Sequence, residues 1–289
     1  MIANALAATE NAAPGGSPVV QFTDVSLAYG EIPALVHISF AMQAGETRIV
    51  LGAAGSGKTT LLKTTVGLVA PDSGHIYLFG EEVTGRRESQ LFDIRGKVGI
   101  LFQEGGLFDS LTIAENVAYP LLNQHALHGD TYSHPPSDEE VERLVRESLS
   151  FVELEHTLDK FPSELSGGMR RRVGIARAVV TAPQLMLYDS PTAGLDPITA
   201  NTIINLILKG RDLRNAATIM ITHRYQDGHL MANFRYNPSS GKIEPAGSSQ
   251  LTTRFFVMRE GRLVFEGSET ELRASTDPYV QKFGRPGSA

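Results

Sequence analysis

Apolar and polar positions along this chain fall into two textures. GETRIVLG (45–52) ends as an apolar strand, KVGILFQ (97–103) reads as a short buried strand, and LMLYD (185–189) and ATIMIT (217–222) are continuous apolar runs. Such runs suit strands of a parallel sheet covered on both faces. Between them lie stretches with apolar residues at helical spacing, such as TTLLKTTVGLV (59–69) and TANTIINLILKG (199–210). In VERLVRESLSFV, Val141, Leu144, Val145, Leu149 and Val152 make one apolar face. Residues 19–51 instead alternate in type, which predicts short strands joined by turns.

Local signals refine this pattern. SGHIYLFGEEV (73–83) reads as a strand and turn, and FFVMREGRLVFEG (255–267) as a hairpin around Glu260 and Gly261. Thr112 with Glu115, Ser137 with Glu140, and Ser268 with Glu271 fit capping boxes that open helices. LNQHALHGDTYSHPP (122–136) is a loop by composition. Strands alternating with helices predict an α/β sheet, with a helical insertion at about 104–175. RYQDGHLMANFRYNPSSGKIEPAGSSQLTT (224–253) holds a turn-rich NPSSG, so an extra hairpin is expected at about 226–250. Residues 1–18 are small and polar and are expected to form a disordered tail, and 276–289 are set apart as a C-terminal tail.

Composition narrows the chemistry. The 289 residues include no cysteine, which excludes disulfides and thiolate metal sites. A net charge of −6 argues against a general nucleic-acid coat. The run Arg170, Arg171, Arg172 reads as a solvated face or a docking surface rather than a nucleic-acid site. No apolar run reaches the ~18 residues a membrane span needs.

GAAGSGKT follows an apolar strand and opens a helix. It comprises Gly52, Ala53, Ala54, Gly55, Ser56, Gly57, Lys58 and Thr59, with Thr60 next. Glycines let successive N–H groups wrap phosphates, Lys58 reaches the β- and γ-phosphates, and the Thr59 hydroxyl suits Mg²⁺. Asp189, ending the apolar strand LMLYD, can hold the same metal through water. A second anion site stands in ELSGGMRRRVGIARAVV, where Ser166 and two glycines begin a helix. One nucleotide needs only one such site. A dimer in which each subunit's second site closes over its neighbour's nucleotide resolves the surplus.

Over about residues 20–275 the chain resembles the ATP-binding cassette (ABC) family. GAAGSGKT is similar to its Walker A loop, LMLYD to Walker B, and LSGGM to its signature motif, with Met169 where glutamine is usual beside Ser166, Gly167 and Gly168. Gln103 resembles the Q-loop glutamine, which also serves the metal; Asp196 in AGLD resembles the D-loop, and His223 the switch histidine. Tyr29 sits where an aromatic stacks on adenine. FQEGGLFDSLTIAENVAYPL and DPYVQKFG resemble the ATPases of Mce-associated phospholipid transport systems.

The resemblance implies a P-loop NTPase of ABC type over 19–275, with a RecA-like core, an antiparallel β-subdomain and a helical subdomain. It implies ATP and Mg²⁺ as cofactors. The implied partners are permease membrane subunits, a second ABC subunit and an Mce-type lipid-binding protein, and the implied place is the cytoplasmic face of the inner membrane. Lys58, Gln103 and His223 are the implied catalytic groups.

Ser190 departs from the pattern: it stands where the family carries its catalytic glutamate. Loss of a general base costs typically ~10²–10⁴ in rate. Three readings stand. Hydrolysis is slow and driven by the remaining groups; or another acid, Glu104, substitutes; or ATP only clamps a dimer as a non-hydrolysing switch or scaffold.

Overall fold

The computed structural model describes residues 16–103, 105–128, 136–247 and 252–285. Strands β1 (Val20–Tyr29) and β2 (Ile32–Met42) pair antiparallel, from Val20 opposite Met42 to Tyr29 opposite Ile32. Strand β3 (Thr47–Gly52) then leaves that sheet, buried at every position, and feeds helix α1 (Lys58–Thr65). Strand β4 (Ser73–Leu78) returns to β1, and the short β5 (Glu81–Glu82) completes a four-stranded antiparallel sheet in the order β2-β1-β4-β5. Alternation explains the sheet: Val20, Phe22, Val25 and Leu27 are buried, while intervening polar residues face outward. Each such buried side chain contributes roughly 1.5–3 kcal/mol.

Helix α2 (Glu88–Gly96) leads to strand β6 (Val98–Leu101). Three helices follow: α3 (Ile113–His128), α4 (Asp138–Phe151) and α5 (Gly167–Val179). Strand β7 (Leu185–Asp189), helix α6 (Pro197–Arg214) and strand β8 (Ala217–Ile221) form a strand–helix–strand unit. Helix α7 (Tyr225–Asn233) precedes the hairpin β9 (Phe234–Asn237) and β10 (Lys242–Pro245). Strands β11 (Thr253–Arg259) and β12 (Arg262–Gly267) come next, then helices α8 (Glu269–Ala274) and α9 (Pro278–Gln281).

The central sheet runs β12-β11-β3-β8-β7-β6, parallel except for the edge strand β12. Successive residues of a strand point to opposite faces, so the continuous apolar runs feed two cores. Ile49, Leu51, Met186, Tyr188, Phe255 and Val257 pack into one. Val50, Leu185, Leu187, Phe256 and Met258 pack into the other, against the antiparallel sheet. The parallel strands β3, β7 and β8 end side by side at their carboxyl edge, where open α/β sheets bind ligands.

Three expectations need correction. Residues 122–128, read as loop, belong to α3, which runs through to His128. Burial of Val117, Ala118 and Leu121 sustains this helix despite Pro120 in its interior. The rest of that stretch, 129–135, lies outside the described residues, as do 1–15 of the expected N-terminal tail. The extra hairpin is present, β9 and β10 flanking NPSSG, but the first part of its expected range, 226–233, is helix α7, because Tyr225, Gly228 and Met231 are buried at helical spacing. The arginine run is not a solvated face: Arg171 is buried, Arg170 donates to the Leu165 carbonyl at 2.7 Å, and Arg172 to that of Val152 at 3.1 Å.

Candidate functional site

The loop between β3 and α1 is shaped by three glycines in the left-handed half of φ space. These are Gly52 at φ 149°, Gly55 at 75° and Gly57 at 101°. Two of them are also hemmed in. A Cβ on Gly52 would lie 2.4 Å from the Met258 carbonyl oxygen, and one on Gly57 2.2 Å from that of Ala34. Only glycine lets the loop pass between β11 and β2.

Lys58 begins α1 and folds its side chain back over the loop. Its Nζ donates to the carbonyls of Gly52 (2.8 Å) and Ala53 (2.7 Å) and to Ser56 Oγ (3.3 Å). Burial pulls its pKa down to about 8, opposed by the charge of Asp189. Thr59, the next residue, donates its hydroxyl to Asp189 Oδ2 at 3.0 Å, across the sheet from β3 to β7. A hydroxyl and a carboxylate brought together here are hard oxygen donors of the kind Mg²⁺ prefers.

Ser190 turns the chain out of β7 with φ 50° and is buried. Its Oγ donates to Asp189 Oδ1 at 3.2 Å, and its N–H donates to the Ile221 carbonyl at 2.9 Å. Each oxygen of Asp189 therefore accepts one hydroxyl. Serine braces the acid; a glutamate here would set a second carboxylate beside it. Glu104, the alternative acid, lies outside the described residues.

His223 follows β8. Burial lowers its pKa, with Lys58 adding to the effect, while a backbone hydrogen bond to Gly52 and the charge of Asp189 oppose it. Below it, Asp227 on α7 is fully buried and accepts from Thr192 Oγ1 (2.5 Å) and Thr222 Oγ1 (2.7 Å). It ties the turn after Ser190 to the turn before His223. Sequence reading passed over Asp227; its signal was an acid one helical turn beyond His223.

The remaining predicted residues differ in how near they lie to this cluster. Tyr29 is exposed at the end of β1, on the sheet whose Ala34 abuts Gly57. Ala53, Ala54 and Gly55 form the exposed crest of the loop, with Thr60 half-buried on α1. Gln103 is exposed and lines a cleft of about 660 Å³ with Gly106, Gly167, Arg170 and Gly194. Among the described residues no hydrogen bond joins it to Thr59 or Asp189. Ser166 caps α5, its Oγ accepting from the Met169 N–H at 3.3 Å. Gly167 is exposed with open space around it, while Gly168 packs on Thr199 of α6. Asp196 caps α6, accepting from the N–H groups of Ile198 and Thr199 at 3.0 Å each. A hydrogen bond from the Thr199 side chain foremost, and then these backbone bonds, hold its carboxyl below the usual range.

A glycine loop at the carboxyl end of a buried strand, a lysine folded over it and a hydroxyl–carboxylate pair beside it define a P-loop protein. Residues 35–193 match the ABC transporter family, and the chain belongs to it. The intermembrane phospholipid transport system ATP-binding protein MlaF of Escherichia coli K12 is 30% identical over 265 residues, covering 92% of this chain and 88% of that protein. A probable ribonucleotide transport ATP-binding protein, mkl, of Mycobacterium tuberculosis is 34% identical over 264 residues, 91% of this chain and 66% of the relative. The fold is similar to the ATP-binding cassette MJ0796 in a dimeric post-hydrolysis state bound to ADP and Pi. That similarity has a TM-score of 0.70 and 29% identity, over 86% of this chain and 98% of that one.

Proposed function

We propose that this chain is the ATP-binding subunit of a membrane transporter that moves phospholipid or another lipid. The convergence of Lys58, Thr59, Asp189 and His223 at the mouth of the Gly52–Thr59 loop carries the nucleotide half of this reading. The cargo half is supported by the phospholipid transport named for the 30% identical relative. The relative named for ribonucleotide transport supplies the competing cargo.

In this reading Gly52–Thr60 wraps the phosphates, Lys58 neutralises them and Tyr29 stacks on the adenine. Thr59, Asp189 and Gln103 would hold Mg²⁺, which offsets phosphate charge. Ser166, Gly167, Gly168 and Met169 of a second copy cap the nucleotide from across the dimer, beside Asp196. His223, kept neutral near pH 7 by its lowered pKa, offers an imidazole hydrogen bond toward the terminal phosphate. Preorganised donors of this kind stabilise developing charge without a base. Hydrolysis is then slow but not absent.

The permease subunits dock on an apolar groove of about 390 Å³, lined by Phe92, Phe102, Phe108, Tyr119 and Pro120 between β6, α2 and α3. Among the described residues no helix is long and apolar enough to cross a membrane. In this reading the permease subunits hold the chain at the cytoplasmic face of the inner membrane. An Mce-type lipid-binding protein completes the assembly, and nucleic acid is not a partner.

A second reading, a non-hydrolysing ATP-dependent switch or scaffold, is favoured by Ser190 alone. ATP turnover by the wild type, Ser190→Glu and Lys58→Ala, each with its membrane partner, separates the two. Turnover above the Lys58→Ala background supports the transporter ATPase; activity in Ser190→Glu alone supports the switch. Vesicles loaded with labelled phospholipid or ribonucleotide then assign the cargo.

A further inference from the structure

The C-terminal helix α9 reaches the phosphate loop. Tyr279 Oη accepts the Ala53 N–H at 3.1 Å and donates to the Met258 carbonyl at 3.0 Å. The Ala53 nitrogen belongs to the same peptide group as the Gly52 carbonyl. That carbonyl accepts Lys58 Nζ at 2.8 Å and makes the backbone hydrogen bond to His223. One peptide plane is thus gripped at its N–H end by Tyr279, and at its oxygen by two groups of the candidate site.

The grip is built rather than incidental. Asp277 caps α9, its Oδ1 accepting the N–H of Tyr279 at 2.7 Å and of Val280 at 3.3 Å. Val280 is buried, the Phe283 ring meets that of Tyr279 edge-on at 5.2 Å, and the Arg259 guanidinium lies 5.5 Å from the Tyr279 ring centroid. The loop is pinned nearby a second time, where the Gly261 N–H donates to the Ser56 carbonyl at 3.1 Å.

We propose that Tyr279 is a positioning residue for the nucleotide site: it fixes the Gly52–Ala53 peptide, and through it the placement of Lys58 and His223. This rests on the reading of Gly52–Thr59 as the nucleotide loop. The Ala53 N–H is occupied from outside the loop, so Tyr279 acts without touching the phosphates. Its hydroxyl orders the loop before the nucleotide arrives, which removes an ordering cost from binding. A conformational constraint of this kind changes affinity; it does not change how many chains are competent.

The test is a titration of this chain with a fluorescent ATP analogue and Mg²⁺, comparing wild type, Tyr279→Phe and Lys58→Ala. Phenylalanine keeps the ring packing and deletes only the hydroxyl. The expected result is a Kd raised roughly 3–10-fold in Tyr279→Phe, the worth of one net hydrogen bond, with binding stoichiometry unchanged. Two outcomes overturn the proposal: an unchanged Kd, or a lowered stoichiometry at unchanged Kd, which marks a folding defect. A wild type that binds no better than Lys58→Ala overturns the nucleotide reading along with it. Normal wild-type binding matched by Tyr279→Phe overturns this inference alone.

Discussion

Lys58 holds its proton loosely, because burial has pulled its pKa to about 8. Phosphate binding needs the ammonium form. Above about pH 8 the free chain has shed that proton, and the nucleotide must restore it. The Kd for Mg·nucleotide should therefore be flat below about pH 7 and rise above pH 8, approaching tenfold per pH unit. Lys58→Arg, whose charge persists, should lose that slope; titrations between about pH 6 and 9.5 read it directly. Asp227 carries the opposite sign of problem. Burial raises its pKa, opposed by bonds from Thr192 and Thr222 and by Arg224, 3.7 Å from its Oδ1. A raised carboxyl favours folding below the unfolded pKa and loses that contribution as pH rises through the folded one. Asp227→Asn keeps an acceptor for both threonines and removes the charge. Denaturant unfolding between about pH 4 and 7 should move in the variant's favour as pH rises; parallel curves would refute the assignment of buried charge.

Helix α5 begins at the Ser166 cap and ends against β6, and the contact there admits no side chain. A Cβ on Gly99 would lie 2.3 Å from the Ala178 carbonyl, 2.5 Å from Met186 Sδ and 2.9 Å from Pro183 Cγ. A backbone carbonyl cannot swing aside as a flexible side chain can. Gly99→Ala should cost about 1–3 kcal/mol by overpacking, visible as a lower urea midpoint. Elements of this kind were legible to different degrees. The buried runs that became β3, β7 and β8 declare themselves, because a strand covered on both faces must be apolar throughout. Helix starts were readable because their caps are local: Thr112 with Glu115 and Ser268 with Glu271 form the reciprocal boxes expected, while Ser137 with Glu140 forms only the serine half, its Oγ accepting the Glu140 N–H at 3.2 Å. Helix α7 was not, since its short polar-looking stretch is helical only by virtue of what Gly228 packs against: a Cβ there would meet Phe255 at 2.6 Å and Ile49 at 3.1 Å. The same holds in the site. The Gly52–Thr59 loop is continuous in sequence and so recognisable, whereas Asp227 and Tyr279 earn their places through contacts 35 and 226 residues distant. In DPYVQKFG nothing local marks the tyrosine; only the fold brings Tyr279 Oη to the Ala53 N–H.

At the scale of the whole molecule the two candidate anion sites share no hydrogen bond among the described residues. The lysine-bearing loop sits at the carboxyl edge of β3, while the Ser166–Gly167 tip of α5 is exposed and Gly167 has nothing within 4 Å of where a Cβ would go. If that tip caps a nucleotide held by a second copy, it is idle in the monomer and needed in the dimer. Gly167→Glu separates these cases. The new side chain enters open space at a helix N-terminus, where a carboxylate is tolerated or mildly favourable, so the monomer should fold with an unchanged thermal midpoint. The loop of the same chain is untouched, so nucleotide affinity of the monomer should match wild type. Across the seam, the carboxylate would face the phosphates it is meant to cap, and like charges in a water-poor interface repel by several kcal/mol. Light scattering with saturating Mg·ATP should therefore find dimers of the wild type and only monomers of Gly167→Glu, with turnover lost in parallel. A variant that dimerises normally would place the SGG tip outside the nucleotide seam, and would leave the surplus anion site to some other ligand.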